Sequence, residues 1–280
     1  MNCLSLFFML IYCSIMSIVT LLIKILQANY HITQLMFIYN LIICTISLIV
    51  DKFSTRFFIK TDNITYHFFR SIFAFTAFWL FCYACSHIHI GKVKAIMSLD
   101  PIVTSILAVY FYRESITVNK LFALFVALIG SMFIFNPKNL EFSTYSLSAL
   151  ISVGCYGIYN NITKKITKGC ILEQRLYLSF FSAAYCLFPA IFSWSPISCL
   201  DLEILVCIAF LLFIASFSMF LAFKRADLSF LMPIHFIGTV ITSVLGLIVL
   251  DEELNYWTVL GSIIIILGTV PIFMSNKRTS

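Results

Sequence analysis

Charge is what this chain lacks most: only 11% of its 280 residues are Asp, Glu, Lys or Arg. A soluble domain is usually about one-quarter charged, so too little polar surface exists here to face water on every side. The familiar motifs of driven chemistry are missing as well. There is no phosphate-binding P-loop, no nucleophile elbow and no HExxH, which argues against ATP-driven transport by this chain and against common hydrolases. No basic run is long enough, or sufficiently interleaved with aromatics, to hold nucleic acid. The ten cysteines are scattered. Cys82 and Cys85 share a helix face with His87 and His89 nearby, but no second pair completes a zinc spacing. Neither a disulfide framework nor a metal centre is expected, and most of the cysteines read as small apolar residues.

Hydrocarbon fills the space that charge leaves. The chain is 61% hydrophobic, contains 30 Phe and has a mean hydropathy of +1.03. Its apolar runs are about 20 residues long, enough for a helix to cross ~30 Å of lipid. They are apolar on every face, which excludes the dyad alternation of a porin-like barrel. Ten spans are expected: Leu4–Ile23, Gln34–Val50, Phe68–Cys85, Val93–Tyr112, Val118–Phe135, Ser146–Ile162, Leu176–Phe192, Leu202–Ala222, Phe230–Leu250 and Trp257–Met274. The first has no basic leading segment and no small-residue cleavage site before Lys24, so it reads as a helix of the mature protein rather than a signal.

Charge placement orients these spans. With both termini cytoplasmic, fourteen of the eighteen Lys and Arg residues fall on the inner side, and only Lys24, Lys92, Lys94 and Lys138 fall outside. The net charge of +6 therefore reads as orientation.

One stretch is written twice. LDPIVTSILAVYFYRESIT, residues 99–117, aligns at an offset of 138 with IGTVITSVLGLIVLDEELN, residues 237–255. The offset puts Thr104 on Thr242, Ser105 on Ser243, Leu107 on Leu245 and Glu114 on Glu252, and Gly130 and Gly268 follow sixteen residues after each glutamate. Helix, acidic corner, helix and glycine recur in the same order, as an internal duplication would leave them. Five spans per unit is an odd number, so the second unit enters the bilayer from the opposite side. Such inverted repeats give two nearly equivalent arrangements, each open to one side.

With those residues in view, the chain resembles the drug/metabolite transporter superfamily, EamA-type. The acidic corners Tyr112-Arg113-Glu114-Ser115 and Leu250-Asp251-Glu252-Glu253, the late glycines and Pro101 carry the likeness; the second copy has Thr239 opposite Pro101 and its proline earlier, at Pro233. Within the superfamily it is similar to the S-adenosylmethionine uptake transporters of obligate intracellular bacteria. That similarity rests on Phe69-Arg70, on Ile106-Leu107-Ala108-Val109-Tyr110-Phe111, on Asn161 followed by Lys164-Lys165, and on Pro233. Where those relatives tend to carry an arginine in the second helix, this chain has Tyr39-Asn40.

Polar residues at membrane depth are the candidate site, because a charge near the bilayer centre costs at least ~2.5 kcal/mol and faces a cavity or a partner. Asp100 stands directly before Pro101, where a break in the helix would leave carbonyls and a carboxylate lining a cavity; the plainer reading has Asp100 capping a helix that begins later. His235, followed by Gly238, suits proton coupling or a bond to a neighbouring helix. Arg70 suits a substrate carboxylate or snorkels to headgroups. Lys24 is a cation on the cation-poor side, and its plainer reading is an interfacial lysine. Asn40, Trp79, Tyr83, Tyr156 and Asn160 offer amides and aromatic faces for a planar or cationic ligand, or ordinary belts and interhelical glue. Glu114, Glu252, Pro101 and Pro233 read as structural corners.

The sequence thus predicts an all-α membrane protein of ten transmembrane helices in two inverted repeats, residues 1–137 and 144–274, with a cytoplasmic tail at 275–280. The expected function is secondary transport of a small polar metabolite across an inner membrane, with S-adenosylmethionine implied by the resemblance. An amino-acid or drug exporter of the same fold and an intramembrane enzyme are the alternatives. Its partners are a small-molecule substrate, the bilayer and a coupling proton or counter-substrate; no cofactor is called for.

Overall fold

The computed structural model describes residues 2–53, 63–88, 90–115, 117–135, 143–167, 169–250 and 256–275. Within them the chain is helical throughout, and no strand occurs. In order the helices are α1 (Asn2–Leu26), α2 (Ile32–Phe53), α3 (Ile64–His87), α4 (Ile90–Met97), α5 (Asp100–Tyr112), α6 (Val118–Phe135), α7 (Thr144–Lys165), α8 (Ile171–Phe192), α9 (Cys199–Arg225), α10 (Leu228–Leu250) and α11 (Tyr256–Ser275). Seven stretches are long and apolar enough to cross a membrane, and Val118–Ile134 and Tyr256–Thr269 are shorter apolar helices. α7 falls outside both groups because it buries Ser148, Ser152, Asn160, Asn161 and Thr163.

Local chemistry sets the helix ends. Ser143 and Ser198 begin α7 and α9 by accepting the main-chain N–H of Ser146 at 3.2 Å and of Asp201 at 3.1 Å, which satisfies donors that a helix start would otherwise strand. Arg113 ends α5 in the left-handed region, with φ 53°. The span expected over 93–112 is divided, next to Pro101, into α4 and α5. Pro101 has no N–H to give the carbonyl four residues earlier, and its ring crowds the same turn. Ser98 bonds back to the Ala95 carbonyl at 2.6 Å, and the helix restarts at Asp100 with the proline in its first turn.

Packing is paired across the two halves. α6 lies on α11 and α2 on α8, while α3–α7 has its counterpart in α9–α1, α5–α7 in α10–α1 and α3–α8 in α9–α2. The α6–α11 contact is close: a Cβ added to Gly130 would sit 2.8 Å from the Gly261 carbonyl oxygen. Only small residues let two helix backbones approach this far. One apolar core gathers Met9, Phe223, Leu231, Met232 and Phe236; a second gathers Leu35, Ile43, Leu205 and Ile208.

Candidate functional site

The break before α5 turns Asp100 into the bundle, where it is 7% exposed. Its Oδ1 accepts the Thr104 hydroxyl at 2.9 Å, one turn on, and Thr104 Oγ1 in turn accepts Asn160 Nδ2 from α7 at 3.3 Å. Asn161 reaches the same turn, donating to the Thr104 carbonyl at 3.1 Å. A buried carboxylate is thus tied by hydrogen bonds across the α5–α7 contact. Each of its hydrogen-bond partners in this group is neutral, so none of them supplies a counter-charge.

A second group lies where α3, α7, α8 and α9 meet. Arg70, 2% exposed, donates through Nη1 to Gln174 Oε1 at 3.1 Å and through Nη2 to the Gln174 main-chain carbonyl. Gln174 also donates to the Ile166 carbonyl, pinning the start of α8. Arg175, 8% exposed, follows directly. Both guanidiniums line one narrow cavity with Gln174, Tyr159, Thr163 and Ser216. Its free volume is about 20 Å³, room for about one water. One turn nearer the start of α3, His67 Nε2 meets Glu173 Oε1 at 3.1 Å and its ring stacks on Tyr177 at 5.0 Å.

Tyr12 stands between the two groups, within electrostatic reach of Asp100, Tyr159 and Arg175. The His235 ring packs on it with centroids 6.2 Å apart. Tyr156 is within reach of both Tyr12 and Asp100. The structure therefore brings Asp100, Tyr156 and His235 near Tyr12, with Asn160 tied to Asp100 through Thr104 and with Arg70 and Arg175 on the cavity beside Tyr159.

Other candidates sit elsewhere. Asn40 is buried but spends its amide on the Met36 carbonyl of its own helix, at 2.8 Å. Lys24 is exposed at the end of α1. Trp79 and Tyr83, 45% and 39% exposed, stack at 6.0 Å and continue through His87 to Tyr145. Pro233 lies inside α10. Glu114 bonds the start of α10 with both carboxylate oxygens, and Lys120 lies 3.5 Å from Asp227. Glu252 lies outside the described residues.

Arg175, Gln174, Tyr159 and Tyr12 were not singled out from the sequence, where Arg175 counts as one more inner-side cation. One signal was available. Gln34 and Gln174 are 140 residues apart, the separation of Lys24 from Lys164, and both glutamines are buried in the first turn of their helices. Gln34 binds the Ser195 main chain, donating to its carbonyl at 2.6 Å and accepting its N–H at 3.1 Å.

Comparison with known proteins agrees with this architecture. A crystal structure superposes with a TM-score of 0.82 over 100% of this chain and 98% of the other, at 12% identity, which shows a common fold. The riboflavin transporter of Brucella anthropi is 25% identical over 232 residues, covering 79% of this chain and 81% of the relative. The S-adenosylmethionine uptake transporter of Rickettsia prowazekii is 23% identical over 222 residues, covering 79% and 76%. The EamA-like transporter family matches twice, over residues 4–136 and again over 143–274. Two matches that together take in nearly every helix leave one conclusion: this multi-pass membrane protein belongs to the EamA-like transporter family.

Proposed function

We propose that the chain is a secondary transporter of ten spans, α4 and α5 together forming the fourth, in two inverted five-helix repeats that carry a small polar metabolite by alternating access. The observation that carries this reading is the exchange relation among the helix pairs: swapping the halves turns α3–α7 into α9–α1 and α5–α7 into α10–α1. A pseudo-two-fold relation of this kind allows two conformations of similar energy. The double family match supports the same division. With an odd number of spans in each half, Glu114 faces the cytoplasm of an inner membrane, Glu252 faces the other side, and both termini are cytoplasmic.

S-adenosylmethionine is the first solute to test, since a relative over most of the chain is named for its uptake; riboflavin is the second, on the same ground. The buried charges Arg70, Arg175 and Asp100 favour a charged solute over the neutral flavin. In proteoliposomes, labelled S-adenosylmethionine should exchange against the unlabelled compound without chemical change. Altered solute would mark an enzyme instead. No exchange of S-adenosylmethionine, riboflavin, amino acids or nucleosides would refute the substrate reading first. Reporter tags after Glu114 and Glu252 should report opposite sides; the same side for both ends the inverted-repeat proposal.

A further inference from the structure

We propose that Arg70 and Arg175 together form the seat for a carboxylate of the transported solute, an inference that rests on the transporter reading. Both arginines are more than nine-tenths buried and line one cavity. Neither is in an ion pair among the described residues, where the side-chain ion pairs are His67–Glu173 and Lys120–Asp227. Arg70 donates only to neutral oxygens of Gln174 and leaves Nε unpartnered. Arg175 Nε is unpartnered too, and its guanidinium makes no hydrogen bond among the described residues. Glu173 is within electrostatic reach of Arg70, but its Oε1 is held by His67 at 3.1 Å.

Two cations on one buried cavity repel each other and lose hydration, a cost that an anion seated between them would offset. Guanidinium presents a planar fork that matches a carboxylate edge to edge. The cavity as it stands has room for about one water, so a carboxylate is seated only as the surrounding side chains give way. Beyond the arginines, Tyr12 is within electrostatic reach of both Arg175 and Asp100. A solute lying along Tyr12 would meet a guanidinium at one end and a carboxylate at the other, the polarity of a molecule that carries a carboxylate and a separate, more distant cationic centre.

The test uses the full chain purified in detergent, with thermal stabilisation as the readout. The probes are S-adenosylmethionine, L-methionine and L-lysine, each against its decarboxylated counterpart, and inorganic phosphate. At least one acid should stabilise the protein while its decarboxylated form does not. Arg175→Gln and Arg70→Gln should each raise the half-saturating concentration of that acid about 10- to 100-fold, the usual range for losing a charge-assisted hydrogen bond in a buried site. The proposal is overturned if no acid stabilises, if a decarboxylated form works as well as its acid, or if phosphate gives an equal effect that depends on the arginines. Arg175→Met supplies a readout without ligand: removing a buried charge that is in no ion pair among the described residues should leave the melting midpoint unchanged or higher, and a lower midpoint assigns Arg175 to holding the fold and overturns the seat. Counterflow on the same preparation keeps the two readings apart. Binding without exchange refutes transport alone, whereas equal exchange of acid and decarboxylated form refutes the seat alone.

Discussion

Glu114 and Leu228 are joined across the two halves of the chain: Glu114 Oε1 accepts the Leu228 N–H at 3.0 Å, and its Oε2 accepts that of Ser229 at the same distance. An acid after the end of α5 thereby caps the start of α10, satisfying two donors and facing the positive end of that helix. Glu114→Ala should lower stability by about 1–2 kcal/mol, as for loss of a good N-cap, and Glu114→Gln by less because one acceptor survives. Thermal unfolding in detergent measures both. An equal, negligible effect for the two would show that the cap carries no weight.

The hydrogen-bonded set at Asp100 separates stability from transport. Asp100→Asn retains an oxygen for the Thr104 hydroxyl, so the melting midpoint should stay near that of the parent while uptake falls. Thr104→Val strands both Asp100 Oδ1 and Asn160 Nδ2, at a cost of about 1–3 kcal/mol. Full uptake by Asp100→Asn would remove the acid from the transport site.

Tyr30 fastens the opposite end of the bundle. Its hydroxyl donates to Asp201 Oδ2 at 2.7 Å and accepts the Ser198 N–H at 3.2 Å, beside the Gln34 bonds to Ser195. Under alternating access, Tyr30→Phe should loosen that end alone. Hydrogen exchange should quicken at the start of α2 and stay unchanged at the start of α8. Equal quickening at both ends would mean general unfolding.

Gly130 tests the close helix contact. Its missing Cβ would lie 2.8 Å from the Gly261 carbonyl oxygen, and that neighbour is main chain that cannot rotate aside. Gly130→Ala should therefore cost about 1–3 kcal/mol although alanine favours helices. A rise in the melting midpoint would show that the contact relaxes freely.

The helices, and the break that splits the fourth span, were legible because apolar length and a proline are local signals. Ser98 to Pro101 can be read without knowing what surrounds them. Direction of burial was not. Arg70 and Arg175 look in the sequence like the other cations near an inner surface, and only packing of α3 against α8 decides that both turn inward. Trp79 and Tyr83 show the converse: spaced like a ligand platform, they are spent on a partly exposed stack with His87 and Tyr145. Arg175 could have been noticed through the glutamine beside it, which recurs as Gln34 at the separation of the two lysines.

Where α6 meets α11, main chain rests on main chain at Gly130 and Gly261. Side chains can swing from one packing to another, but bare peptide planes have no such freedom. Under the proposed alternating access, these two helices are expected to travel as a single strut, leaving the motion that loads and unloads the solute to the helices around it.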